Sequence, residues 1–172
     1  DMDDLFQTPD HAICRLVPEM HLVTPSGKRL KYRFEGMVLD RVAHDEALVK
    51  RAEREGAKYL VGARVKHVES QSVTLSDGRI FDAKVIVGAG GHHDIVRRTG
   101  WSDKSLNIPV KFAIKKGIHT EALELHFGSI APGGYAWVFP KNGSSNIGIG
   151  IQRRFARGTS LNTLARQFID SY

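Results

Sequence analysis

Residues 131–140 read APGGYAWVFP, with Tyr135, Trp137 and Phe139 at every second position. A period of two marks a β-strand, whose successive side chains point to opposite faces. The period recurs on both sides of this stretch. Val110, Phe112 and Ile114 alternate with Lys111, Ala113 and Lys115, and Leu123, Leu125 and Phe127 alternate with Glu124 and His126. Ile147, Ile149 and Ile151 alternate with Gly148 and Gly150. Four such strands in succession predict an antiparallel sheet. From Ser160 the period lengthens: Leu161, Leu164, Ala165, Phe168 and Ile169 share one face of a helix with Ser160 as its N-cap. That stripe runs to Tyr172 without a stop signal, so a longer parent chain is expected.

Working back toward the N-terminus, Glu19 to Thr24 and Arg29 to Phe34 read as two strands joined by Pro25-Ser26-Gly27-Lys28. Asp40 to Glu55 reads as a helix with acidic residues early, basic residues late and Gly56 as its stop. Val42, Leu48, Val49 and Ala52 are its expected buried stripe. Short strands are predicted at Tyr59–Val61, Arg64–Val68, Ser72–Leu75 and Arg79–Phe81. Asp77-Gly78 is the turn of the last pair, and a two-residue turn there needs positive φ at both positions. Ala83 to Ala89 is a nearly unbroken apolar run ending in glycines, as in a strand buried on both faces, and a short helix is expected around Asp94 to Thr99. The composition changes at Lys104 to Pro109. The prediction is an α+β chain with one lobe at residues 1–104 and a second, sheet-rich lobe at 105–172.

Composition narrows the function classes. The chain has 172 residues, 41% hydrophobic and 26% charged, which suits an ordinary globular fold and excludes a disordered tail. Its net charge of +6 invites a nucleic-acid reading. Lys28, Arg29, Lys31 and Arg33, like Lys111 and Lys115, instead suit the wet faces of half-buried strands, with no recognition helix or aromatic-basic signature beside them. Nucleic acid is therefore not an expected partner. One cysteine, Cys14, allows no internal disulfide, and its default is a small buried hydrophobe. His92 and His93 are adjacent and point apart, so they make no metal pair, and no metal site is expected. No apolar run approaches the ~18 residues of a membrane span, and Asp1 to Asp10 is unlike a signal peptide, so a cytoplasmic location is expected.

The order FEGMVLDRVAHDEALVKRAEREGA, Arg64-Val65, the Asp77-Gly78 turn, VIVGAGGHHDIVRR and APGGYAWVFP resembles the middle of flavoproteins with the p-hydroxybenzoate-hydroxylase type of FAD fold. It is most similar to the geranylgeranyl reductase group, whose P-x-x-Y-x-W-x-F-P pattern is matched at Pro132, Tyr135, Trp137, Phe139 and Pro140. The resemblance implies part of an FAD-binding lobe joined to an antiparallel substrate-binding sheet. It implies FAD contacts at Arg41, Val65 and the turn Gly88, Ala89, Gly90 and Gly91. It also makes Pro132, Tyr135, Trp137, Phe139 and Pro140 the wall of an apolar site for a prenyl lipid. For Arg41 an ion pair with Asp45 is the alternative, and for the aromatic row an ordinary sheet core is.

The sequence departs from the family's G-A-D-G-x-x-S turn: Gly90 stands where the acid is usual, and Asp94 where serine is. The missing acid counts against a nicotinamide-driven monooxygenase. The glycine turns through which the superfamily holds FAD first and last are absent, so the chain is expected to be a middle fragment that binds FAD weakly or not at all by itself. The implied function is FAD-dependent reduction of isoprenoid double bonds by the full-length protein, with no catalytic residue identifiable. A flavin monooxygenase or halogenase fragment and a non-enzymatic lipid-binding module are the alternatives. A lipid substrate is compatible with peripheral membrane contact.

Overall fold

The computed structural model describes residues 7–91, 94–97 and 108–172. The expected His92-His93 pair, the end of the helix predicted to reach Thr99, and most of the break at Lys104 to Pro109 lie outside the described residues. Two compact units emerge: Asp1–Arg51 with Leu106–Tyr172, and Ala52–Ser105.

In the larger unit, β1 (Ile13–Val23) and β2 (Arg29–Leu39) form a hairpin, longer at both ends than its apolar pattern indicates. Gly27 closes the connection with φ +81° while its amide donates to the Thr24 carbonyl. Helix α1 (Arg41–Arg54) follows, with the Asp40 carboxylate accepting from the amides of Val42 and Ala43 as a cap. Its expected apolar stripe is not buried: no residue of α1 is, and Val42 is 78% exposed. The four strands predicted from period two are β6 (Val110–Lys116), β7 (Leu123–His126), β8 (Tyr135–Lys141) and β9 (Ser144–Gly150), paired antiparallel in the order β7-β8-β9-β6.

The sheet differs from expectation at one edge. The hairpin joins it through β1, parallel to β7, giving six mixed strands in the order β2-β1-β7-β8-β9-β6. The grouping of the hairpin with residues 1–104 is corrected accordingly. Helix α2 (Leu161–Asp170) covers one face, capped by Ser160, whose hydroxyl accepts from the Thr163 amide. Leu164, Ala165 and Phe168 pack with Ala136, Val138, Ile147, Ile149 and Ile151 to make the core. The helix face is the one its 3.6-residue period indicates.

The smaller unit holds the sheet β3 (Val65–Val68), β4 (Ser72–Leu75) and β5 (Ile80–Asp82). At Asp77-Gly78 only Gly78 has positive φ, +88°. The pairing of the Leu75 amide with the Arg79 carbonyl makes the loop three residues long rather than two. Tyr59–Val61 is not a strand, and neither is Ala83–Ala89. Val85 and Val87 are 74% and 80% exposed. A strand needs a hydrogen-bonded neighbour along an edge, and no strand among the described residues pairs with this run.

A buried acid fixes the hairpin to the sheet. Glu124 of β7 accepts from Arg29 of β2, from Tyr172 Oη at 2.8 Å, and shares a 3.1 Å hydrogen bond with His126 Nε2. Burial opposes ionisation, but the hydrogen bonds from His126, Arg29 and Tyr172 outweigh it and hold the Glu124 carboxyl at about 2. Its ordinary value is 4.5, so its stabilisation is complete above that pH and is lost as pH falls toward 2. Stability should fall by about 3 kcal/mol over that window from this group. Chemical denaturation of the parent chain and Glu124→Gln at pH 6 and pH 3 checks it, and the variant should lose much less on acidification.

Candidate functional site

Strand β8 is apolar on both faces. Ala136, Val138 and Pro140 are buried on the side covered by α2, so Tyr135, Trp137 and Phe139 stand on the other. Pairing register extends that second face sideways. Trp137 lies opposite Leu125 of β7 and Gly148 of β9, and Gly148 lies opposite Phe112 of β6. Beyond β7, Leu125 neighbours Leu22, and Met20 neighbours Tyr32. The result is an apolar surface six strands wide, with Tyr135 45% exposed and Phe112 58% exposed. A surface of this kind is a candidate interaction site.

The aromatic rings form a ladder along it. Phe127 and Tyr135 have centroids 6.2 Å apart, Tyr135 and Trp137 6.0 Å, and Trp137 and Phe139 6.0 Å. The indole lies across β9 because position 148 has no side chain. A Cβ there would come within 2.2 Å of Trp137 Cζ2 and 2.7 Å of Phe112 Cβ. Its Nε1–H donates to Asn146 Oδ1 at 2.9 Å. Sequence reading does not single out Asn146. The signal was its place two residues before Gly148, on the same strand face.

Of the two prolines expected to line this wall, Pro132 sits half-buried in the turn before β8, its carbonyl accepting from the Gln152 amide. Pro140 is corrected: it is fully buried on the opposite face, because it is one residue out of phase with the aromatics.

The residues expected to touch FAD fall in both units. Arg41 opens α1 with its side chain 76% exposed, and Nη2 lies 3.0 Å from Asp45 Oδ1. The ion pair weighed as its alternative is thus formed, and the exposed guanidinium still fits a second anionic partner. Val65 begins β3, half-buried. The Gly88–Gly91 turn closes on its own chain: the Gly90 amide donates to Asp94 Oδ2, and Asp94 Oδ1 accepts from the Val96 amide at 2.7 Å. These bonds, that from Gly90 foremost, hold the Asp94 carboxyl below its usual range. The two departures from the family turn are one rearrangement, since a Cβ on Gly90 would sit 2.8 Å from Asp94 Oδ2. The Gly90 amide therefore does not fit a cofactor phosphate; it already holds a carboxylate.

Residues 106–172 match the geranylgeranyl reductase catalytic domain. Over those residues the chain is similar to the geranylgeranyl reductases. A digeranylgeranylglycerophospholipid reductase of Methanosarcina acetivorans is 30% identical over 161 residues, covering 81% of this chain and 40% of that protein. Thus the chain spans less than half the length of this reductase. A geranylgeranyl bacteriochlorophyll reductase-like protein from Thermoplasma acidophilum shares the fold with a TM-score of 0.72 and 23% identity, over 96% of this chain and 48% of that one. A probable FAD-dependent monooxygenase from Pseudomonas aeruginosa shares it with a TM-score of 0.60 and 19% identity, over 91% and 50%.

Restoring the family acid through Gly90→Asp should set two carboxylates against each other and lower the unfolding midpoint. Adding Asp94→Ser should return most of that loss. Thermal unfolding of the single and double variants decides the matter, and an unchanged midpoint for the single variant would contradict the Asp94 contact.

Proposed function

We propose that the aromatic face of the six-stranded sheet binds the isoprenoid chain of a lipid whose double bonds are reduced in an FAD-dependent reaction by the longer protein. The observation that carries this reading is the ladder Phe127–Tyr135–Trp137–Phe139 on an exposed apolar face. An isoprenoid offers little except apolar surface and double bonds. Rigid rings bury such a chain at low entropy cost and ask no hydrogen bonds of it. The name of the Methanosarcina relative, a reductase of a geranylgeranyl-bearing phospholipid, supports the same substrate class.

In this reading Tyr135, Trp137 and Phe139 bind and align the chain, while Phe112 and Leu125 on the neighbouring strands widen the apolar floor and exclude water from it. Pro132 shapes the approach through the turn before β8. Within the smaller unit, Val65 and the backbone of Gly88, Ala89 and Gly91 would contact FAD, whereas Gly90 keeps the turn closed; Arg41 of the larger unit is proposed separately as an FAD contact. Hydride transfer to an alkene carbon is the chemistry that reduced FAD supplies when bound. No helix among the described residues is long and apolar enough to cross a membrane. Access to a lipid substrate would then come through peripheral contact with the cytoplasmic membrane surface.

Calorimetric titration of the chain with farnesyl phosphate should show binding, and inorganic phosphate should show none. Trp137→Ala, folded by circular dichroism, should weaken it roughly 30-fold, equivalent to about 2 kcal/mol of lost ring contact. A folded parent chain that ignores the prenyl probe, or a Trp137→Ala variant that binds it equally well, refutes the assignment. Parallel titration with FAD measures how much of the cofactor site the chain carries.

A further inference from the structure

We infer that Asn146 is a positioning residue of the lipid-binding face, acting through Trp137; the inference rests on the isoprenoid reading and assigns its geometry to one hydrogen bond. The largest ring of the ladder carries its one polar atom, Nε1–H, into a surface proposed to meet only hydrocarbon. A donor covered by an apolar ligand without a partner costs binding free energy. Asn146 removes that cost: its Oδ1 accepts from Trp137 Nε1 at 2.9 Å.

The same bond selects the ring's direction. Asn146 stands opposite Phe139 on β8 and Ile114 on β6, two residues along from Gly148, and therefore on the aromatic face. An indole that turns its N–H toward Asn146 must lie across Gly148, where its Cζ2 reaches within 2.2 Å of the place a Cβ would take. The edge of the ring that carries nitrogen is tied to β9, and its carbon surface is left for the ligand. Gly148 supplies the room, and Asn146 supplies the orientation. Without Asn146 the indole could turn over the two-fold range open to a tryptophan χ2.

Asn146→Leu keeps the branching at Cγ and removes the acceptor. In a Trp101→Phe background, which leaves Trp137 as the single tryptophan, this change should shift the emission maximum of the unliganded chain and alter its near-ultraviolet circular dichroism. It should also weaken farnesyl phosphate binding about five- to tenfold, the lower end of the penalty for an unpaired buried donor. In a Trp137→Phe background, which has no N–H to satisfy, the same Asn146→Leu change should alter affinity less than twofold. Unchanged emission and affinity in Asn146→Leu would overturn the inference while leaving the isoprenoid reading intact. An equal loss in the Trp137→Phe background would overturn it as well, because Asn146 would then act without the indole. A folded parent chain that does not bind the prenyl probe would overturn the isoprenoid reading instead, and the emission of the unliganded variants would still decide whether Asn146 sets the ring.

Discussion

The larger unit is organised by a mismatch: β8 is apolar on both faces, while α2 covers only one. Leu164, Ala165 and Phe168 take up the face made by Ala136, Val138, Ile147 and Ile149, where small and branched residues let helix and sheet approach closely. The bulky rings of Tyr135, Trp137 and Phe139 have no place in that layer. They are carried on the opposite face, together with the apolar residues that register places beside them. This leaves an exposed aromatic surface of the kind that marks candidate interaction sites.

The alternation that makes one face apolar makes the other available for polar work. On β7, Leu123 and Leu125 share the aromatic face, while Glu124 and His126 turn toward α2 and form the cluster with Arg29 and Tyr172. That cluster fastens β2 and the end of the chain to the sheet's middle. Because it stands on the covered side, the hairpin can enlarge the aromatic face through Met20, Leu22, Leu30 and Tyr32 without bringing a charge onto it. Charged and apolar residues are thus divided by parity along single strands.

How much of this could be read from the residues follows from the range of the interactions. The four later strands and α2 were legible because their periods are set locally, by alternation and by the 3.6-residue repeat. Which face of β8 would be covered was not, since Ala136 and Val138 are as apolar as the rings beside them. Pro140 shared its motif with the aromatics yet falls on the other face, for a motif counts residues and a strand counts parity. The Glu124–Arg29 contact joins positions 95 residues apart, the parallel β1–β7 pair joins segments comparably remote in sequence, and neither left a local trace. The apolar run from Ala83 to Ala89 misled in the opposite sense: it has the composition of a buried strand, and its burial depends on neighbours that the described residues do not provide.

The same division of faces accounts for the basic charge. Lys111 and Lys115 alternate with Phe112 and Ile114, and they point toward α2. Lys115 Nζ donates to the Ile169 carbonyl at 2.9 Å, near the helix C-terminus where a cation is favoured, and Lys111 Nζ donates to Asn162 Oδ1 at 2.7 Å. These lysines hold a helix to a sheet edge and are not spaced to follow a phosphate backbone. Arg29, Lys31 and Arg33 lie on the corresponding side of β2, opposite Val23, His21 and Glu19. On the aromatic face, the rows from Val110 to Ile114 and from Tyr135 to Phe139 carry no formal charge, and charge returns only where Lys116 and Lys141 flank Ser144 at the sheet's end. A net charge of +6 therefore coexists with an aromatic face whose central rows are uncharged, because β alternation sends the lysines and the rings to different sides of the same strands.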